Sequence, residues 1–141
     1  MRWVRQEDPE GCGVAVLAML TGQTFAEVDQ AFPDRRARDT PKERCLEPHH
    51  MQNYLWDRGY FLRLIRLAEF APDGRWPPRP FAPLHYVNVT SPSGTGHWVA
   101  MEMDGCVLDP LRKGTYQLDF YPAVHEVVGI FPDGHNRRAG A

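Results

Sequence analysis

Gly11-Cys12-Gly13-Val14-Ala15-Val16-Leu17-Ala18-Met19-Leu20-Thr21-Gly22 is apolar on nearly every side. A segment of this kind has no polar face to show to water. It therefore reads as a buried helix, closed by Gly22 in the left-handed position that glycine fills at helix ends. Cys12 falls at its N-terminus. Outward from it, Thr24 and Glu27 stand at capping-box spacing and open a second helix over 25–32, which Pro33 ends. Pro48 starts a third helix through His49, Met51, Tyr54 and Leu55, stopped at Gly59.

From Tyr60 onward the character changes to strands, read at 61–67, 84–90, 97–103, 106–109 and 126–131. The proline-rich stretch 71–83 cannot join a ladder and reads as a surface crossing. Helices first and an antiparallel sheet second give an α+β class, with the leading helix packed on the sheet. At 141 residues the chain is expected to form one domain over 1–141, with a frayed tail at 134–141.

A hydrophobic fraction of 43% with 24% charged residues belongs to a globular protein. The formal net charge of -2 offers no basic footprint, so no nucleic-acid partner is expected. Arg35, Arg36 and Arg38 are interspersed with Asp34, Asp39 and Glu43 and read as a solvated, mixed-charge loop. Neither a membrane-length apolar run nor the apolar core of a signal peptide is visible, which points to a cytoplasmic protein without membrane insertion. Cys12, Cys45 and Cys106 are an odd number with no CxxC spacing, against a disulfide framework or a zinc knuckle.

A thiol attacks only as thiolate, and both a helix N-terminus and an imidazolium partner favour that form. Cys12 has the first of these, although on helix position alone a buried apolar thiol is the plainer reading. Gln6 stands six positions earlier, where a folded-back loop could aim a neutral amide at an oxyanion, together with the backbone N–H of Cys12. His97 opens a strand after the loop Gly94-Thr95-Gly96, and Asp109 ends the next strand, where it could hold the second imidazole nitrogen. Gly11 and Gly13 read as clearing space for a substrate carbonyl.

The turn between those strands decides whether His97 and Asp109 can meet. A two-residue Asp104-Gly105 turn would pair Ala100 with Asp109 and put the two side chains on opposite faces. A three-residue loop, Met103-Asp104-Gly105, pairs Val99 with Asp109 and leaves His97 as its diagonal neighbour on one face.

Gln6 six positions before Cys12-Gly13, the small-residue helix 14–19, His97-Trp98-Val99 and Leu108-Asp109-Pro110 together resemble the papain-like cysteine peptidases. Within them the chain is most similar to the C39 group, of bacterial or phage type, which trims double-glycine leader peptides. The resemblance covers 6–21 and 96–114. It implies a papain-like fold and a cysteine peptidase or amide hydrolase with Cys12, His97, Asp109 and Gln6 as site residues. It also implies a peptide or protein substrate, with small residues such as Gly-Gly before the scissile bond. No cofactor and no metal are expected, and the oligomeric state stays open. Two alternatives remain at this point: a thiol acyltransferase or toxin of the same fold, and a catalytically idle binding module.

The remaining polar residues read more plainly. Trp98 alternates with His97 and is expected in the core. Cys45, His49 and His50 lack a fourth ligand at zinc spacing. Cys106 reads as a buried strand thiol, and His85 and His125 as scaffold histidines.

Overall fold

The computed structural model describes residues 1–70 and 82–132; the proline-rich stretch from Ala71 to Phe81 and the tail from 133 on lie outside them. Helix α1 spans Cys12–Thr21 and is buried from Cys12 to Leu20, with Gly22 at φ 70° receiving the chain in the left-handed cap. Helix α2, Phe25–Asp29, is shorter than the sequence suggests, but carries the full Thr24–Glu27 capping box. Two short elements follow that the sequence did not announce: a 3-10 turn Arg35–Ala37 and helix α3, Pro41–Arg44, capped by Thr40. Helix α4, Pro48–Asp57, has Pro48 in its first turn, and a four-residue helix α5, Leu67–Phe70, follows the first strand.

The strands are β1 Tyr60–Ile65, β2 Leu84–Thr90, β3 Gly96–Glu102, β4 Val107–Asp109, β5 Arg112–Tyr116 and β6 Ala123–Pro132. They form one six-stranded sheet in the order β1-β6-β2-β3-β4-β5, every pairing antiparallel. The class is thus α+β, with short N-terminal helices and an antiparallel sheet. Strand β5 was not foreseen. Its Arg-Lys-Gly-Thr-Tyr sequence is edge-strand material, polar and half-exposed, without the apolar alternation that marks a strand.

Both faces of the sheet are covered. On one, Val14, Leu17, Met51 and Leu55 pack against Tyr86, Trp98, Ala100, Val128 and Ile130. On the other, Val87, Val99, Met101, Val107 and Val127 pack with Leu118 and Tyr121 of the segment after β5. The period of two along β3 therefore sends Trp98 to the helices and Val99 away from them, as expected for a strand buried on both sides. Among the described residues no helix is long and apolar enough to cross a membrane.

Candidate active site

The site is built where the N-terminus of α1 meets the first residue of the buried strand β3. The Asp8 to Gly11 segment turns back on itself, with the Gly11 N–H bonded to the Asp8 carbonyl at 3.1 Å, and delivers Cys12 as the first residue of α1. No side chain caps this helix end, and its first turn carries no acidic residue. Its leading N–H groups lie where the helix dipole favours negative charge. Cys12 is buried, at 7% exposed.

The β3–β4 connection sets the second half of the site. Ala100 pairs with Leu108 and Met101 with Val107; the same register continues to Val99 opposite Asp109. The Glu102 N–H bonds to the Cys106 carbonyl at 2.9 Å, closing a three-residue loop, Met103-Asp104-Gly105. Gly105 sits at φ 88°, a conformation that favours glycine. The odd loop length places His97 and Asp109 on the same side of the sheet, and the His97 Nε2–H donates to Asp109 Oδ1 at 2.7 Å.

Asp109 is fully buried and saturated with donors. Besides His97 it accepts from the Leu111 N–H (2.8 Å), the Tyr121 hydroxyl (2.8 Å) and Arg112 Nη1 (2.9 Å). Burial alone would raise its pKa, but these partners, His97 first, hold it below the ordinary carboxylate value. Tyr121 and Arg112 lie beyond the motif that marks Asp109. Sequence reading missed them, and only the spacing of Arg112 three residues on, across a tight turn, could have signalled one.

Cys12 interacts with the same ring. Burial works against the charge of His97, yet the bond to the Asp109 carboxylate and the interaction with Cys12 raise its pKa to about 9. His97 is thus held as imidazolium at neutral pH, between a carboxylate and a sulfur. A cleft of about 750 Å³ opens onto this pair, with Cys12, His97, Gly96 and Trp98 on one side and Cys45, Leu46 and Glu47 on another.

Gln6 is placed differently from the expectation. It is buried at 8% exposure, but its Nε2 donates to the carbonyls of Asp8 (3.0 Å) and Pro9 (3.1 Å), and it does not line the cleft. The amide shapes the loop that presents Cys12. The backbone N–H of Gln6 also bonds the Pro110 carbonyl, and Trp3 Nε1 the Asp109 carbonyl at 2.7 Å, joining the N-terminal segment to the end of β4.

Gly11 and Gly13 make room for protein rather than for substrate. A Cβ on Gly11 would lie 2.9 Å from the Phe25 ring, and one on Gly13 would lie 2.9 Å from Leu46 Cβ. Leu46 in turn accepts a hydrogen bond from the Trp98 indole, so α1, β3 and the α3–α4 connection lock together beneath the cleft.

The arginine cluster is also corrected. Arg35 is 1% exposed, not solvated, and its guanidinium grips Asp8 twice (2.6 and 3.0 Å), Asp29 (3.1 Å) and the Arg44 carbonyl (3.1 Å). Asp8 belongs to the Cys12 loop, so this buried pair anchors that loop from behind.

Other expectations fare unevenly. Cys106 is only half-buried, just outside β4 at the hairpin, because the loop that fixes the register carries it to the surface. His85 is fully buried, and burial lowers its pKa to about 4, as a neutral scaffold histidine requires. His125 is exposed, bonds Thr90 at 2.7 Å and borders the cleft, because a bulge in the β2–β6 pairing turns it outward. Glu47, His49 and His50 come together at the start of α4, but His50 Nδ1 already accepts the Glu47 N–H.

No protein-family model matches the chain, and no curated protein matches it either.

Proposed function

We propose that the protein is a cysteine-dependent amide hydrolase of papain-like type, acting on a peptide or protein. The observation that carries this reading is one imidazole bonded to a buried, fully satisfied carboxylate and interacting with a thiol at a helix N-terminus, with imidazole and thiol lining one cleft. An Asp–His bond alone is a common structural pair. A thiol beside that imidazole, at the first residue of a helix, is the arrangement that covalent catalysis needs.

In the proposed reaction the Cys12 thiolate adds to the substrate carbonyl, and the oxyanion is met by the N–H groups of the α1 N-terminus. His97, held as imidazolium, protonates the leaving amine and then, as the neutral base, draws a proton from the water that clears the thioester. Asp109 keeps the ring oriented and its charge stable. Gln6 serves as an oxyanion donor only by releasing a loop carbonyl; otherwise it acts through the loop that presents Cys12. The C39 likeness further proposes small residues before the scissile bond.

The test is the rate of iodoacetamide modification of each cysteine against pH, resolved by peptide mapping, in the parent and in His97→Ala. Cys12 is expected to react well ahead of Cys45 and Cys106 at about pH 6, far below an ordinary thiol pKa, and to lose that lead without His97. Equal rates at the three thiols would end the catalytic reading.

A further inference from the structure

The cleft beside Cys12 is lined by a carboxylate that has a buried oxygen without a hydrogen-bond partner among the described residues. Asn88 faces Trp98 on β3 and Glu126 on β6, so Trp98, Asn88 and Glu126 form one row across three strands. The row lies on the sheet face that carries Tyr86, Val128 and Ile130 toward the helices, and all three of its residues border the cleft. Glu126 is half-buried, and its Oε1 is shut off from water with no hydrogen-bond donor among the described residues. A buried acceptor is seldom left unpaired, and a carboxylate least of all. Its field reaches the buried Tyr86 hydroxyl, whose pKa is pushed up by burial first and by Glu126 second. Lys42 and Glu47 also border the cleft, but both are exposed and their opposite charges are solvated.

We infer that Glu126 is a specificity-determining residue that receives a cationic group of the substrate, a lysine or arginine side chain. This rests on the hydrolase reading above and adds a substrate class to it. β6 is separated from β3 by β2 alone, so the backbone at Glu126 stands two strand spacings, roughly 10 Å, from that at Trp98, the residue after His97. Along an extended peptide that is about three residues. The cation therefore belongs to a residue two or three positions from the scissile carbonyl, and small residues at the bond itself are compatible with it.

The test uses two chloroacetamides that differ only in charge, N-hexyl and N-(aminohexyl), whose spacer lets the ammonium reach the row while the electrophile meets Cys12. The readout is the cationic-to-neutral ratio of alkylation rates at Cys12 in the parent, divided by the same ratio in Glu126→Gln. Taking ratios within each variant removes differences in folded fraction and in thiol reactivity. The double ratio is expected to be roughly tenfold, as for a partly desolvated charge pair, with Glu126→Asp between the two. A double ratio within about twofold of one would overturn the assignment, since a carboxylate facing only water gives no such selectivity. The hydrolase reading fails separately, if the neutral reagent modifies Cys12 no faster than Cys45 and Cys106; the double ratio is read at Cys12 in either case.

Discussion

Two buried charges hold the segments around Cys12, and they differ in what they leave open. Arg35 is enclosed by Asp8, Asp29 and the Arg44 carbonyl, and every group around it is scaffold. Asp109 is enclosed just as completely by His97, Tyr121, Arg112 and the Leu111 N–H, but one of those partners passes the interaction on to a thiol in a cleft. Burial and dense pairing alone therefore do not mark a functional group. The mark is a chain of contacts that ends on a reactive atom reachable from solvent.

The largest expected effect comes from breaking the Asp109 side. Asp109→Ala leaves His97 and Arg112 without their carboxylate and should lower stability by about 3–5 kcal/mol, measured by denaturant unfolding. The milder Asp109→Asn tests the chemistry. Alkylation of Cys12 by iodoacetate, an anion drawn by the imidazolium, should fall above about pH 9 in the parent as His97 loses its proton. In Asp109→Asn that alkaline limb should move down toward the ordinary histidine value of about 6.5. An unmoved limb would mean that Asp109 does not govern His97.

The two centres should also fail at different ends of the pH scale. Asp8 is held below its ordinary pKa mainly by its hydrogen bonds to Arg35, against its own burial. A depressed carboxylate contributes stability above its unfolded value and loses it as pH falls through the folded one. His97 is raised, so its contribution is complete below about 6.5 and disappears as pH climbs through about 9. Melting temperatures should therefore decline toward acid through His85 first and then Asp8 and Asp109, and between neutral pH and about 9 chiefly through His97. Most of that alkaline decline should be lost in His97→Gln.

Next in size is Arg35→Met, which leaves Asp8 and Asp29 with only the exposed Arg36 as a cationic partner among the described residues and should cost about 3–5 kcal/mol while leaving the alkaline limb of Cys12 reactivity in place. Its neighbour sharpens the contrast. Arg36 meets the same two carboxylates at 3.2 and 3.0 Å, yet its side chain is 54% exposed against 1% for Arg35. Arg36→Ala should therefore cost less than about 1 kcal/mol. Between the two falls Gly13→Ala, which must push Leu46 aside and should cost about 1–3 kcal/mol by overpacking.

The same contrast explains what could be read in advance. The buried helix at Cys12, the capping box at Thr24 and the three-residue loop at Met103 each follow from rules acting over a few residues: periodicity, capping and strand parity. His97 and Asp109 could be placed on one face because only one strand and one loop lie between them. Arg35 could not be read, since nothing near it in sequence shows that Asp8, 27 positions earlier, would close over it. Glycines flanking Cys12 suggested an open approach to the sulfur, yet Phe25 and Leu46 fill that space from other elements. The direction of the Gln6 amide was equally hidden, because it depends on how the Asp8 to Gly11 turn curls.

The indole of Trp3 meets the Asp109 carbonyl across 106 positions of chain, and the ring of His97 must also find Cys12 at the far end of the sequence. Such closures are entropically late, because long loops have to be drawn in before their contacts reward the ordering. The helix α1 and the β3–β4 hairpin can form early and locally, but neither holds a functional site. In folding time, the contact between His97 and Cys12 is a signal of completion, since it forms only when these distant segments have been brought together.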